Sequence, residues 1–385
     1  MRRHRAGRHV ILLWSTVVLA LPAAACNFPE AAPAAPFSTD LAQPTDTSTS
    51  VPLPASTATP STTATPAPTP IPSELVWFGP NMGSSDFADL FAEPEEWSEA
   101  RSRIDVFKFH SQNLLYNDCA ICGDNNLSAF VPVQAFERLT EWGVATAIDV
   151  GAVKEWDCTG AQEVRVARTV VENVQSHGGT VTFLVMDEPF MGGQASPTGS
   201  NPCGLTMEQT ADVTAWFMRQ VQAAHPDIVV GNTEPYPYFS AAELEQWIEA
   251  LEARGTPPAF FHLDVNMVEG GSRLDRRLVV ADLQTLSRFF QEHQIPFGVI
   301  FTANTNWDAR SDRVYFDSTM EWMQLVNDAI GKPQQVVFNS WLGPTTDGIS
   351  NRPGVHETPI NLPENDPSIY SHTRLILEAL DMLDW

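Results

Sequence analysis

The sequence predicts an α/β fold, a (β/α)8 TIM barrel, preceded by an export signal and a disordered linker. Three observations carry this prediction. Eight short apolar runs recur along residues 74–385, with helical periodicity between them. Most of the runs are continuously apolar, which suits parallel strands covered on both faces. No glycine-rich phosphate-binding turn follows the first run, which disfavours a doubly wound nucleotide-binding sheet. No cofactor is expected.

The chain opens MRRHRAGRHV, carrying four arginines, and continues through ILLWSTVVLALP to AAAC. A basic start, a short apolar core and small residues before a cut site read as a signal peptide over residues 1–25. The apolar run is too short for a comfortable membrane span. Its ending, LPAAAC, resembles a bacterial lipobox, which implies a lipid on Cys26 and an exported, cell-surface lipoprotein. Residues 26–73 are rich in Pro, Ser, Thr and Ala, as in STATPSTTATPAPTP. Such a tract buries too little apolar surface to offset its ordering entropy and is expected to act as a tether. The folded domain is then residues 74–385.

The strand runs are LVWF (75–78), DVFKF (105–109), VATAIDV (144–150), TVTFLVM (180–186), IVVG (228–231), AFFHL (259–263), FGVIF (297–301) and QVVF (335–338). Between the third and fourth, AQEVRVARTVVENVQSHGG places Val164, Ala167, Val171 and Val174 on one helical face and stops at Gly178-Gly179. Following the fifth, SAAELEQWIEALEARG begins with Ser240 and has Glu243 three residues on, a capping box, and ends at Gly255. DRRLVVADLQTLSRFFQEHQ and FDSTMEWMQLVNDAIG repeat the pattern, and SIYSHTRLILEALDMLDW closes the series. Eight such units fit a barrel of about 250 residues enlarged by loop insertions.

The net charge is −25, and loss of the signal, with four arginines and no acid, leaves −29. That disfavours nucleic-acid and anionic-lipid partners, which need a basic footprint. A neutral ligand such as a carbohydrate remains compatible, and a monomer whose only membrane contact is the lipid on Cys26 is expected. Cys119, Cys122, Cys158 and Cys203 form an even set in an exported chain, which suggests two disulfides with three possible pairings. All four fall in the loops after strands 2, 3 and 4, where bridges would wall a cleft over the barrel mouth.

In such barrels the C-terminal strand ends hold the active site. The fourth strand runs FLVMDEPF, and two adjacent carboxylates at the edge of a core repel one another and lose hydration. Candidate catalytic residues are Glu188, Glu234, Asp187 and Asp264. Asn81, Lys108, His110, Asn232 and Tyr236 are candidate substrate-binding residues from the first five strand ends. Asn304, Trp307, Asn339 and Trp341 complete the set from the last two. Carboxylates supply acid and base, amides and His bind hydroxyls, and indole faces stack on sugar rings, so the rim describes a carbohydrate site. Asp149 reads as a partner for Lys108 inside the barrel, and His262, between Phe261 and Leu263, reads as a core histidine.

The fold and the DEP at strand 4 resemble the large clan of (β/α)8 retaining glycoside hydrolases, whose acid/base glutamate ends strand 4 in an Asn-Glu-Pro setting. The resemblance implies that Glu188 is the general acid/base. Asp187 stands where that clan has asparagine, and strand 7 ends FTANTN without the clan's nucleophilic glutamate. The adjacent Asp-Glu also resembles the substrate-assisted hexosaminidases, in which an aspartate steadies the sugar's attacking acetamido group. A third arrangement pairs Glu188 with Glu234 or Asp264 across the mouth, Glu234 being the expected partner. A carboxyl separation of about 5 Å would then imply retention and roughly 6.5–9.5 Å inversion. Two rivals remain: a lipid-tethered carbohydrate-binding barrel without turnover, and a metal-dependent hydrolase using His110, Asp149, Glu188, His262 and Asp264. No metal is expected, because no His-Glu-x-x-His helix and no His-x-His after strand 1 occurs.

Overall fold

The computed structural model describes residues 72, 74–116, 119, 122–194, 202–269, 272–304, 311–340 and 359–385. The signal, most of the linker, Cys26, Trp307 and Trp341 lie outside the described residues. Eight parallel strands close into a barrel: β1 (Leu75–Gly79), β2 (Val106–His110), β3 (Ala145–Val150), β4 (Val181–Asp187), β5 (Val229–Tyr236), β6 (Phe261–Val265), β7 (Phe297–Phe301) and β8 (Gln335–Asn339). Their order around the barrel is sequential, and β1 closes the ring by pairing with β8 from Leu75↔Gln335 to Gly79↔Asn339.

Each strand leads, in some units after shorter helical turns, to a helix: α1 (Ser98–Arg103), α2 (Ala135–Trp142), α3 (Ala161–Ser176), α4 (Met207–Ala224), α5 (Ala241–Glu252), α6 (Arg276–Glu292), α7 (Asp312–Ile330) and α8 (His372–Met382). The start of α5 is the expected capping box: Ser240 accepts from the Glu243 amide while the Glu243 carboxylate accepts from the Ser240 amide. The FDSTMEWMQLVNDAIG pattern underlies only part of α7, which begins four residues earlier under a Ser311 cap.

Strand alternation divides the core in two. Side chains pointing inward, among them Trp77, Phe183, Val185, Phe260, Ile300 and Val337, fill the barrel. Side chains pointing outward, such as Phe107, Leu184 and Phe261, pack beneath the helices in the larger cluster. Trp97, Trp247 and Trp322 belong to this outer layer and are buried. His262 is inside the barrel, against Trp77 and Phe260, with Nε2 2.7 Å from Gln335 Oε1. Burial there holds its pKa down at about 3, so it is a neutral core residue.

The two disulfides join Cys119 to Cys122 and Cys158 to Cys203. The second ties the loop after β3 to the segment after the neighbouring strand β4. No described helix is long and apolar enough to cross a membrane.

Candidate active site

The mouth is built from inward-facing residues one step above the apolar plug. On β2, Lys108 and His110 face inward, and the register sets His110 beside Asp149 of β3. Lys108 Nζ lies 2.8 Å from Asp149 Oδ2, with both side chains buried, and His110 Nδ1 approaches the same oxygen at 3.5 Å. Asp149 is thereby filled by protein partners, as its expected pairing requires. Lys108 is held in that ion pair. Burial lowers the His110 pKa against the opposing pull of Asp149, so its imidazole is neutral at neutral pH.

Asp187 ends β4 and receives Lys154 from the loop after β3, with Nζ 2.7 Å from Oδ2. Burial pushes the Asp187 carboxyl up, but the charge and hydrogen bond of Lys154 outweigh it, and the net pKa is lowered. Asp187 is thus ionised. Glu188 follows in the left-handed region, at φ 52° and ψ 49°, a conformation that costs a side-chain-bearing residue of order 1 kcal/mol or more. Pro189 and the short helical turn Pro189–Gly193 come immediately after. This sharp turn stops the Glu188 side chain from following strand alternation.

The Glu188 carboxylate has no hydrogen-bond or ion-pair partner among the described residues. Burial and the adjacent Asp187 charge push its pKa up to about 7. Asp264, inward-facing on β6 and in register with Pro235, is also without such a partner among the described residues. Burial first, then the charges of Glu188 and Asp187, hold its pKa well above the usual carboxylate range. Among the mouth carboxylates, Asp149 and Asp187 are paired with lysines, whereas Glu188 and Asp264 are not, and Asp264 feels the Glu188 charge.

Glu234 is a correction. The fifth strand does not stop at Gly231 but continues through Asn232, Thr233, Glu234 and Pro235 to Tyr236. Alternation therefore governs these residues, and Glu234 points to the helix side rather than into the mouth. It is fully buried, accepting from the Phe190 amide at 2.8 Å, the Met191 amide at 3.3 Å and Asn232 Nδ2 at 3.1 Å. Burial raises its pKa to about 8. Its carboxylate holds the turn that carries Glu188, from behind.

The same parity removes Asn232 and Tyr236 from the substrate set. Asn232 accepts from Trp247 Nε1 of α5 at 2.7 Å, and the Tyr236 hydroxyl donates to Asp282 of α6 at 2.6 Å. Thr233, between them, faces inward and was not anticipated; its register partners are Asp187 and His262. Asn81 sits at the end of the first unit, accepting from the Gly83 amide and donating to Ser340 at 3.4 Å, so it braces two loops.

Four polar atoms at the mouth are buried and without a partner among the described residues: His110 Nε2, Thr233 Oγ1, Asn304 Nδ2 and Asn339 Oδ1. Buried polar atoms of this kind cost about 1–3 kcal/mol each unless something bonds them. They supply both donors and acceptors to a polar ligand. Gly79 makes room for one of them: a Cβ there would fall 2.1 Å from Asn339 Oδ1. The metal constellation does not assemble, because His262 is committed to the core and Asp149 to Lys108. Among the described residues no group of three or more His, Cys, Asp or Glu is placed to hold a metal ion.

No protein-family model matches the chain, and no curated protein matches it by sequence. Solved structures similar to it include the active domain 2 of a chitinase from Pyrococcus furiosus, at 16% identity and TM-score 0.47, covering 83% of this chain and 99% of that one. A glucosidase from Croceicoccus marinus matches at 12% identity and TM-score 0.48, covering 82% and 69%. A 3-keto-D-glucoside 4-epimerase from E. coli matches at 12% identity and TM-score 0.40, covering 81% and 99%. The chemistry is accordingly read from the residues at the mouth.

Proposed function

We propose that this chain is a glycoside hydrolase that cleaves an oligo- or polysaccharide with the Glu188–Asp264 pair. The observation that carries the proposal is the contrast among the acids: these two have no protein partner among the described residues, and both have raised pKa values. Two carboxyls that repel each other in a partly dry site ionise one at a time, so an acid and a base stand together near neutral pH. Asp264, two strands round the barrel, keeps its proton against the charges of Glu188 and Asp187 and suits the general acid that protonates the leaving oxygen. Glu188, which ionises at about 7, suits the carboxylate that activates water or attacks the anomeric carbon. Ionised Asp187, steadied by Lys154, suits stabilisation of the positive charge that develops on the sugar.

The His110, Thr233, Asn304 and Asn339 atoms suit ring hydroxyls, and the neutral His110 imidazole can accept as well as donate. Export and lipid tethering at Cys26 belong to the same reading, supported by the lipobox-like LPAAAC and by two disulfides, which persist in oxidising compartments.

The test is release of reducing ends from polysaccharides, and of chromophore from nitrophenyl glycosides, by wild type and Glu188→Gln in parallel. Release by wild type and its loss in the variant support the hydrolase. Retention of glycan without any release would make the chain a binding protein.

A further inference from the structure

We infer that Trp156 is a stacking platform for a second sugar ring, so that the substrate is a chain of several residues and not a single glycoside. This rests on the hydrolase reading for the neighbouring site, but its observations are independent of that site. Trp156 is 54% exposed, one of four large apolar side chains left open to solvent among the described residues. Tyr116 lies beside His177, past the far end of α3, whereas Leu278 and Val314 are aliphatic. Trp156 alone combines an aromatic face with a loop that joins the mouth.

The loop is rigid. Lys154 and Asp157 pair across a tight antiparallel bridge, which puts Trp156 at its tip. Asp157 accepts from the amides of Gln162 and Glu163 at the start of α3. Cys158 is bonded to Cys203, whose sulfur lies 3.4 Å from the Lys154 carbonyl oxygen. The indole itself is fixed, because Nε1 donates to Glu163 Oε1 at 3.0 Å and Glu163 is buried. The ring's one polar atom is therefore satisfied from below, and the open part of the ring is apolar.

The tip is also near the chemistry. Lys154, two residues earlier, reaches Asp187, and the charge of Glu155 is felt by Glu188. A fixed, exposed indole beside a polar cleft matches a pyranose, whose axial C–H bonds present one apolar face while its hydroxyls point outward. Aromatic side chains with one satisfied polar end serve this role at little cost in side-chain entropy.

The experiment compares full-length wild type, Trp156→Ala and Trp156→Phe on cellohexaose, chitohexaose and xylohexaose and on the matching nitrophenyl monoglycosides. Calorimetric titration with the same hexasaccharides runs alongside. Trp156→Ala is expected to weaken hexasaccharide binding and raise its KM about tenfold. The kcat/KM for the monoglycoside stays within about twofold, and Trp156→Phe recovers part of the loss. Unchanged hexasaccharide binding in Trp156→Ala overturns the inference, and so does an equal loss on both substrate classes. If wild type binds a hexasaccharide without cleaving it and Trp156→Ala abolishes the binding, the platform stands and the hydrolase reading falls. If wild type binds none of the three, the platform falls.

Discussion

Lys154 Nζ sits 2.7 Å from Asp187 Oδ2, while Glu188, the next residue, has no partner for its carboxylate among the described residues. One lysine thus splits a pair of adjacent acids into an ionised member and a protonatable one. Lys154 is itself stabilised as the cation: burial alone would lower its pKa, but Asp187 and Glu188 outweigh that and raise it.

Lys154→Met should undo this division. Asp187 loses its counter-ion and its pKa rises. Glu188 loses a nearby positive charge that was lowering its pKa, so the acid limb of the pH–activity profile moves to higher pH. Because Asp187 is nearly half exposed, the stability loss should be modest, about 1–2 kcal/mol. Denaturant melts and pH–rate curves check both, and an unmoved acid limb would count against the assignment.

Stability should fall with rising pH through the titration of Glu188. Its folded pKa of about 7 lies above the ordinary 4.5, so between those values the folded chain holds a proton that the unfolded chain releases. The penalty is absent below pH 4.5 and complete above about pH 7. Glu188→Gln removes it, and should be more stable than wild type at pH 8.5 by on the order of 2 kcal/mol and equal to it at pH 4.5. Thermal melts at the two values decide this.

Glu234→Ala should act on turnover through the Glu188 turn. The Phe190 and Met191 amides lose their acceptor, and the stacking of Phe190 on Phe239 and Trp247 (ring centroids 3.9 and 4.9 Å away) is left to hold Phe190. An ångström of misplacement can cost about a hundredfold in rate. We expect kcat to drop by that order with KM changed less than about threefold. A KM effect with normal kcat would place Glu234 in contact with substrate instead.

Removal of the Cys158–Cys203 bridge should cost both stability and rate. The cysteines are 45 residues apart, for which chain entropy gives about 4 kcal/mol. Cys158→Ala/Cys203→Ala also frees the loop that carries Lys154. Melting with and without reductant, together with rates on the substrate found for wild type, checks the two effects.

The barrel was legible because each strand is a continuous apolar run and each helix carries its own periodicity, down to the Ser240–Glu243 cap. Glu188 stood out by its place between a buried strand and a proline, and its role is a proposal. Glu234 and Tyr236 were misplaced for one reason: β5 outlasts its apolar run by five residues, and a strand extension through Asn-Thr-Glu-Pro-Tyr flips which side chains reach the mouth. Pro235 gave no hint of continuation, since proline usually marks a strand's end or edge. Lys154 and Trp156 lie in a loop whose shape is set by a bridge between distant cysteines, and no local pattern reveals it. Trp307 and Trp341 fall outside the described residues and stay expectations.

The most direct test of the pair at the mouth needs no substrate. Carbon-detected NMR titration of protein labelled at its glutamate carboxyls, with Glu188→Gln identifying the resonance, reads the Glu188 pKa. We expect a value close to 7 that falls when Asp187→Asn removes the neighbouring charge. An ordinary value near 4.5, indifferent to Asp187, would show that Glu188 is neither buried at the mouth nor under its neighbour's charge, and the proposed catalysis would lose its basis.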